Sequence, residues 1–108
     1  MATDQEFLSA CESGLSSLAV QSLQGLAAQG TAAAVSFAQS NLDDLKRWTK
    51  EVGSGDMTKD DMASLLQGAQ GLAGIQALQQ QGLSLVLVDQ FRDQVVGFIV
   101  DKAFSLLV

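Results

Sequence analysis

The chain has no histidine, no proline and no tyrosine, and it contains one cysteine among 108 residues. Without histidine, the side chain that most often transfers protons near neutral pH is missing, and neither a Ser-His nor a Cys-His nucleophile pair can form. A single cysteine excludes an internal disulfide framework and, without other ligands, a metal site. We therefore predict that the protein is not an enzyme and that it holds no cofactor and no metal.

Basic residues are also few, because six Lys and Arg stand against twelve Asp and Glu, for a net charge of -6. Nucleic acids and anionic lipids attract clustered Lys and Arg, and here only Lys46, Arg47 and Lys50 cluster. We expect no nucleic-acid partner. The N-terminus is acidic where a secretory signal would be basic. We expect a cytoplasmic protein, and export without a cleaved signal stays open.

Charge is absent from two long segments of the chain. Ten of the eighteen charged residues lie within 43–61, whereas 13–42 and 62–88 carry none. Each uncharged segment exceeds the roughly 20 residues that cross a bilayer. Both segments contain several glutamines, which are costly to bury in hydrocarbon. Membrane-spanning helices are therefore not expected, but association with a membrane surface stays open.

The abundant residues are Ala, Leu, Gln, Ser and Gly, and Ala, Leu and Gln favour helix when proline is absent. Apolar residues recur at three- and four-residue steps, while Thr3, Thr31 and Thr58 can cap helices that Gly30 and Gly82 separate. We predict one all-α domain over 1–108, a four-helix antiparallel bundle (up-down-up-down) or two kinked helical hairpin arms. The predicted helices cover about 4–29, 32–52, 59–80 and 84–107.

The run 83–88 alternates in the manner of a strand, but the chain offers no second strand to pair with it, so we assign it to the start of the fourth helix. That helix is apolar beyond its core face, and helices one and three carry stripes of small residues that permit close approach. A monomer of this size has difficulty burying all these faces. The predicted interface residues are Val96, Val100, Phe104, Leu107, Gly68 and Gly71.

Few residues suggest chemistry. Cys11 lies on a leucine-rich helix face and is interpreted as a core residue. The acid pairs at 43–44 and 60–61 are interpreted as helix-end residues, since adjacent side chains on a helix point about 100° apart. The glycines within 68–74 lack the preceding strand and following Lys or Arg of a phosphate-binding loop. The sequence thus offers no catalytic group.

We therefore predict a non-catalytic helical interaction or assembly protein that self-associates, with a dimer favoured and a different protein partner left open. The alternative is an amphipathic coat or peripheral protein that binds a lipid or hydrophobic polymer surface. On the first hypothesis, replacing Val100 or Phe104 with Asp separates the oligomer into folded monomers.

Overall fold

The computed structural model describes residues 4–68 and 72–106, and most of these residues are helical. The α-helices are α1 Asp4–Leu23, α2 Ala27–Ser40, α3 Leu42–Gly53, α4 Lys59–Gln67, α5 Leu72–Gln76 and α6 Leu85–Leu106. Two 3₁₀ segments cover Gln24–Leu26 and Ala77–Gln81. The predicted all-α class is confirmed. The predicted cap at Thr3 lies outside the described residues.

Several helix ends lie where local side-chain chemistry predicts them. Thr58 forms a capping box at the start of α4: its hydroxyl accepts from the Asp61 N–H at 3.1 Å, and its own N–H donates to the Asp61 carboxylate at 3.1 Å. Gly82 has a φ of +104°, a left-handed conformation that favours glycine. Ser84 caps α6 by accepting from the Leu87 N–H. The run 83–88 thus leads into a helix and not a strand.

Gly30 does not end the first helix, contrary to the prediction. It is buried inside α2, and the first break lies earlier, in Gln24–Leu26. A methyl group built on Gly30 would overlap Cδ1 of Leu23 and would lie 3.4 Å from Cζ of Phe91. The glycine therefore permits close packing between helices. Thr31 is also not a cap, since its hydroxyl donates to the Ala27 carbonyl at 2.8 Å within α2.

The predicted second helix is divided at Asn41, between α2 and α3. Asn41 is buried, and its side-chain Nδ2 donates to the Phe37 carbonyl at 2.9 Å. Asn side chains compete with the backbone for hydrogen bonds, and here the amide bonds to the last turn of α2 where the helix is interrupted. The prediction of one helix over 32–52 missed this break because apolar spacing continues across it.

The third predicted helix is also divided, into α4, α5 and the 3₁₀ segment Ala77–Gln81. Its face changes across the division. Leu65 in α4 is 43% exposed, whereas Ile75 in α5 is fully buried. Gly68 ends α4, so one continuous helical period cannot describe both α4 and α5.

Helix α1 lies between α2 and α6 and contacts both along its length. Helices α1 and α6 are antiparallel. Gly14 in the middle of α1 lies against Phe98 in the second half of α6, whereas Leu23 at the end of α1 lines the same groove as Leu87 at the start of α6. The molecule is elongated, with axes of 43, 24 and 19 Å. The core side chains that are fully buried include Phe7, Cys11, Leu15, Phe37, Leu45, Met62, Phe91, Val95 and Ile99. Among the helices that the structure describes, none is both long and apolar enough to cross a bilayer.

Helix α6 approaches α1 closely at Gly14, where an added methyl group would overlap the Phe98 ring. Replacing Gly14 with Ala should cost about 1–3 kcal/mol through overpacking, offset in part by better helix propensity. Gly97 is the matched control, since it lies inside α6 with nothing within 4 Å of an added methyl. Gly97→Ala should stabilise by about 0.5–1 kcal/mol. Urea unfolding of both variants measures the difference, and equal stabilisation would contradict this packing.

Candidate interaction surface

The predicted C-terminal interface is largely inside the molecule. Val96 is 2% exposed and Val100 is 5% exposed, because α6 packs against α1 on one side and against α3, α4 and α5 elsewhere. The extra apolar face of α6, expected to meet a second chain, is thus covered by the chain's own helices. Val96 and Val100 therefore offer no free surface, and Val100→Asp would unfold the chain instead of separating an oligomer.

Of the other predicted interface residues, the structure describes Phe104 and Gly68. Phe104 is half-buried beneath Lys59, whose Nζ lies 4.9 Å from the ring centroid. Gly68 is exposed, and a methyl group added there would meet only the Leu65 carbonyl oxygen, at 4.0 Å. It is not a site of close helix packing. Gly71 and Leu107 lie outside the described residues.

Cys11 lies in the core and is fully buried. Burial raises the pKa of its thiol from 9.0 to about 11, although the positive charge of Lys102 opposes that shift. The thiolate is the nucleophilic and metal-binding form of cysteine. Near neutral pH the Cys11 side chain is thus a neutral core residue.

The acidic pairs serve the helix ends. Asp44 pairs with Arg47 at 3.1 Å on α3, and Asp61 belongs to the capping box of α4. Among residues 4–68 and 72–106, no group of His, Cys, Asp and Glu is arranged to hold a metal ion. These carboxylates therefore act on helix ends and surface ion pairs.

Arg92 is at the centre of a polar cluster on α6. Its guanidinium lies 3.4 Å from Asp89 and 3.5 Å from Asp93, and Asp93 also accepts from Gln67 of α4 at 3.1 Å. The Arg92 Nε is buried without a hydrogen-bond partner among the described residues, and 24% of the side-chain surface is exposed. The cluster connects α4 to α6 and neutralises the cation.

The largest apolar exposure is in the first turn of α6. Leu85 is 55%, Val86 64% and Leu87 40% exposed, and the three are consecutive. Val20, near the C-terminus of α1, is 60% exposed. Single apolar side chains are common on protein surfaces, whereas contiguous ones mark contact sites. We call residues 85–87 the exposed turn.

A shallow groove lies beside the exposed turn. Its lining combines the C-terminal turn of α1, the loop before α6 and α6 itself, and comprises Gln21, Ser22, Leu23, Leu83, Leu87 and Gln90. None of these residues is charged. The surface therefore offers apolar contacts with amide and hydroxyl groups at its border.

The sequence contained the signal for this surface. Three consecutive apolar residues are spread over about 200° of a helical turn, so they cannot all face the core. The alternation within 83–88 is typical of a strand, whereas its signal for an exposed surface lies in the apolar circumference of the first helical turn. The C-terminal turns were assigned to an interface on the same argument, but α3, α4 and α5 pack there.

Apart from the cluster of Asp89, Arg92 and Asp93 on α6, charge is concentrated toward one end of the molecule. At one end, the N-terminus of α1 pairs with α3 through Asp4 and Lys46 at 3.0 Å, and α4 pairs with the C-terminal part of α6 through Lys59 and Asp101 at 3.3 Å. At the other end lie the C-terminus of α1, the 3₁₀ segment Gln24–Leu26, the start of α2 and the exposed turn. We call the end with the Asp4–Lys46 and Lys59–Asp101 pairs the charged end, and the opposite end the uncharged end.

Comparison of the chain with protein-family models, curated proteins and solved structures found no match.

The environment of Cys11 predicts low thiol reactivity. In the native protein at pH 8 the thiol should resist disulfide reagents, and unfolding in guanidinium should release one reactive thiol per chain. Because the folded pKa exceeds the unfolded one, the neutral thiol contributes stability below pH 9, and this contribution is lost between pH 9 and about 11. Urea unfolding across that range measures the loss. The Cys11→Ala variant should lack this loss of stability between pH 9 and about 11. An identical pH dependence of stability in both proteins would contradict the assignment of the loss to Cys11.

Proposed function

We propose that this chain is a non-catalytic helical protein that works by self-association, with a dimer as the favoured state. The observation that carries the proposal is the exposed turn, where three consecutive large apolar side chains are in contact with solvent. Covering such a surface is favourable by roughly 25 cal/mol for each Å² of apolar area. An association role uses this surface, whereas a catalytic role leaves it without a purpose.

The chemical groups support a non-catalytic role. Histidine and tyrosine are absent from the sequence, and the one thiol is buried with a raised pKa. Asp44 and Asp61 have structural partners at helix ends. The proposal also takes the whole chain as one cytoplasmic domain that forms an up-down-up-down bundle of four arms. The first arm is α1, the second is α2 together with α3, the third is α4 together with α5, and the fourth is α6.

A lipid or polymer surface is the alternative occupant of the exposed turn. Peripheral helices bind anionic membranes through Lys and Arg beside their apolar face. On α6 the nearest cation is Arg92, and Asp89 and Asp93 neutralise it. The absence of charge at the groove thus favours a protein surface over an anionic membrane.

The proposal predicts a mass that depends on concentration. Light scattering from micromolar to millimolar chain should show a change from 11.3 kDa toward twice that mass. Added salt should strengthen the association, since it screens repulsion between two chains of charge -6. A constant mass of one chain, together with flotation on zwitterionic vesicles, would contradict self-association and favour the coat role.

A further inference from the structure

The uncharged end has both parts of a self-complementary contact. The exposed turn projects Leu85 and Val86 into solvent, and the groove beside it is lined by Leu23, Leu83 and Leu87. A two-fold symmetric interface presents the same patch on both subunits. An exposed apolar turn next to a groove that combines leucines with Gln21, Ser22 and Gln90 can satisfy that requirement, because each copy can place its turn against the groove of the other.

The charge distribution favours a second copy of the chain that approaches with its own uncharged end. Each chain carries a net charge of -6, so contact through the charged ends or the sides brings like charges together. Contact through the uncharged ends separates them by the greatest distance. The first charge along α6 is Asp89, which pairs with Arg92 at 3.4 Å. The occupant that suits this end is itself apolar and uncharged, as the same end of another copy is.

We propose that two copies of this chain associate end to end through the exposed turn and its groove, with the charged ends pointing away from each other. This inference rests on the proposed self-association and specifies its surface. Its occupant is a second copy of the chain, and lipid and other proteins are outcomes that the experiment separates from it.

Val86→Glu tests the surface without disturbing the fold. Val86 is the second residue after the Ser84 cap, and a carboxylate in the first turn of a helix is favoured by the helix dipole. In the dimer the same carboxylate would lie in an apolar contact, once on each copy. The dissociation constant should rise on the order of 100-fold.

Leu65→Glu is the matched control. Leu65 is 43% exposed on α4, outside the exposed turn and groove, so the same loss of exposed apolar surface should leave the dissociation constant unchanged. Circular dichroism and thermal melting check that both variants fold. Sedimentation equilibrium then compares them with the unmodified chain.

Three results overturn the inference in distinguishable ways. If the unmodified chain never associates, self-association fails and this surface fails with it. If the unmodified chain associates and Val86→Glu associates equally well, self-association stands and this surface is wrong. If all three proteins are monomers and only Val86→Glu loses flotation on zwitterionic vesicles, the exposed turn binds lipid.

A single introduced thiol provides a positive test. Cys11 is buried, so Val86→Cys carries the only accessible thiol in the chain. Mild oxidation should form a disulfide-linked dimer of Val86→Cys much faster than of Leu65→Cys. Equal rates in the two variants would contradict the end-to-end contact.

Discussion

The contact of the Phe98 ring with the backbone at Gly14 fixes the distance between α1 and α6, and the contact of Leu23 with Gly30 does the same between α1 and α2. Helix spacing depends on the side chains at the contact. The core contains many small residues, and Cys11 and alanines on α1, α2 and α6 are fully buried among larger ones. Such a core closes without voids only if the helices approach closely, as the two glycines permit.

Close packing also explains the distribution of charge. The helix faces that meet around α1 leave no room for long charged side chains, so the charges lie at exposed or partly exposed positions of α1, α3, α4, α6 and the loop before α4. Their ion pairs are exposed, as in Lys46 with Asp4, and such pairs contribute little to stability. They keep the charged end soluble, while the exposed turn at the opposite end stays apolar.

Sequence patterns predicted what depends on local chemistry and missed what depends on contacts between helices. The Thr58 cap, the turn at Gly82 and the helical state of 85–88 follow from side-chain chemistry and spacing. The prediction that Gly30 ends a helix is wrong because a glycine that ends a helix and one that accommodates Leu23 look alike in sequence. Val96 and Val100 were assigned to an interface because their covering helices are distant in the chain. The change of face between α4 and α5 had no periodic signal.

The central claim is that the uncharged end is where two copies meet. Small-angle X-ray scattering at a concentration that saturates association measures the geometry directly, since the single chain is 43 Å long and 19–24 Å across. An end-to-end dimer predicts a maximum dimension close to twice the long axis of the chain. A saturated dimer whose maximum dimension stays near that of one chain would place the copies side by side and contradict the claim.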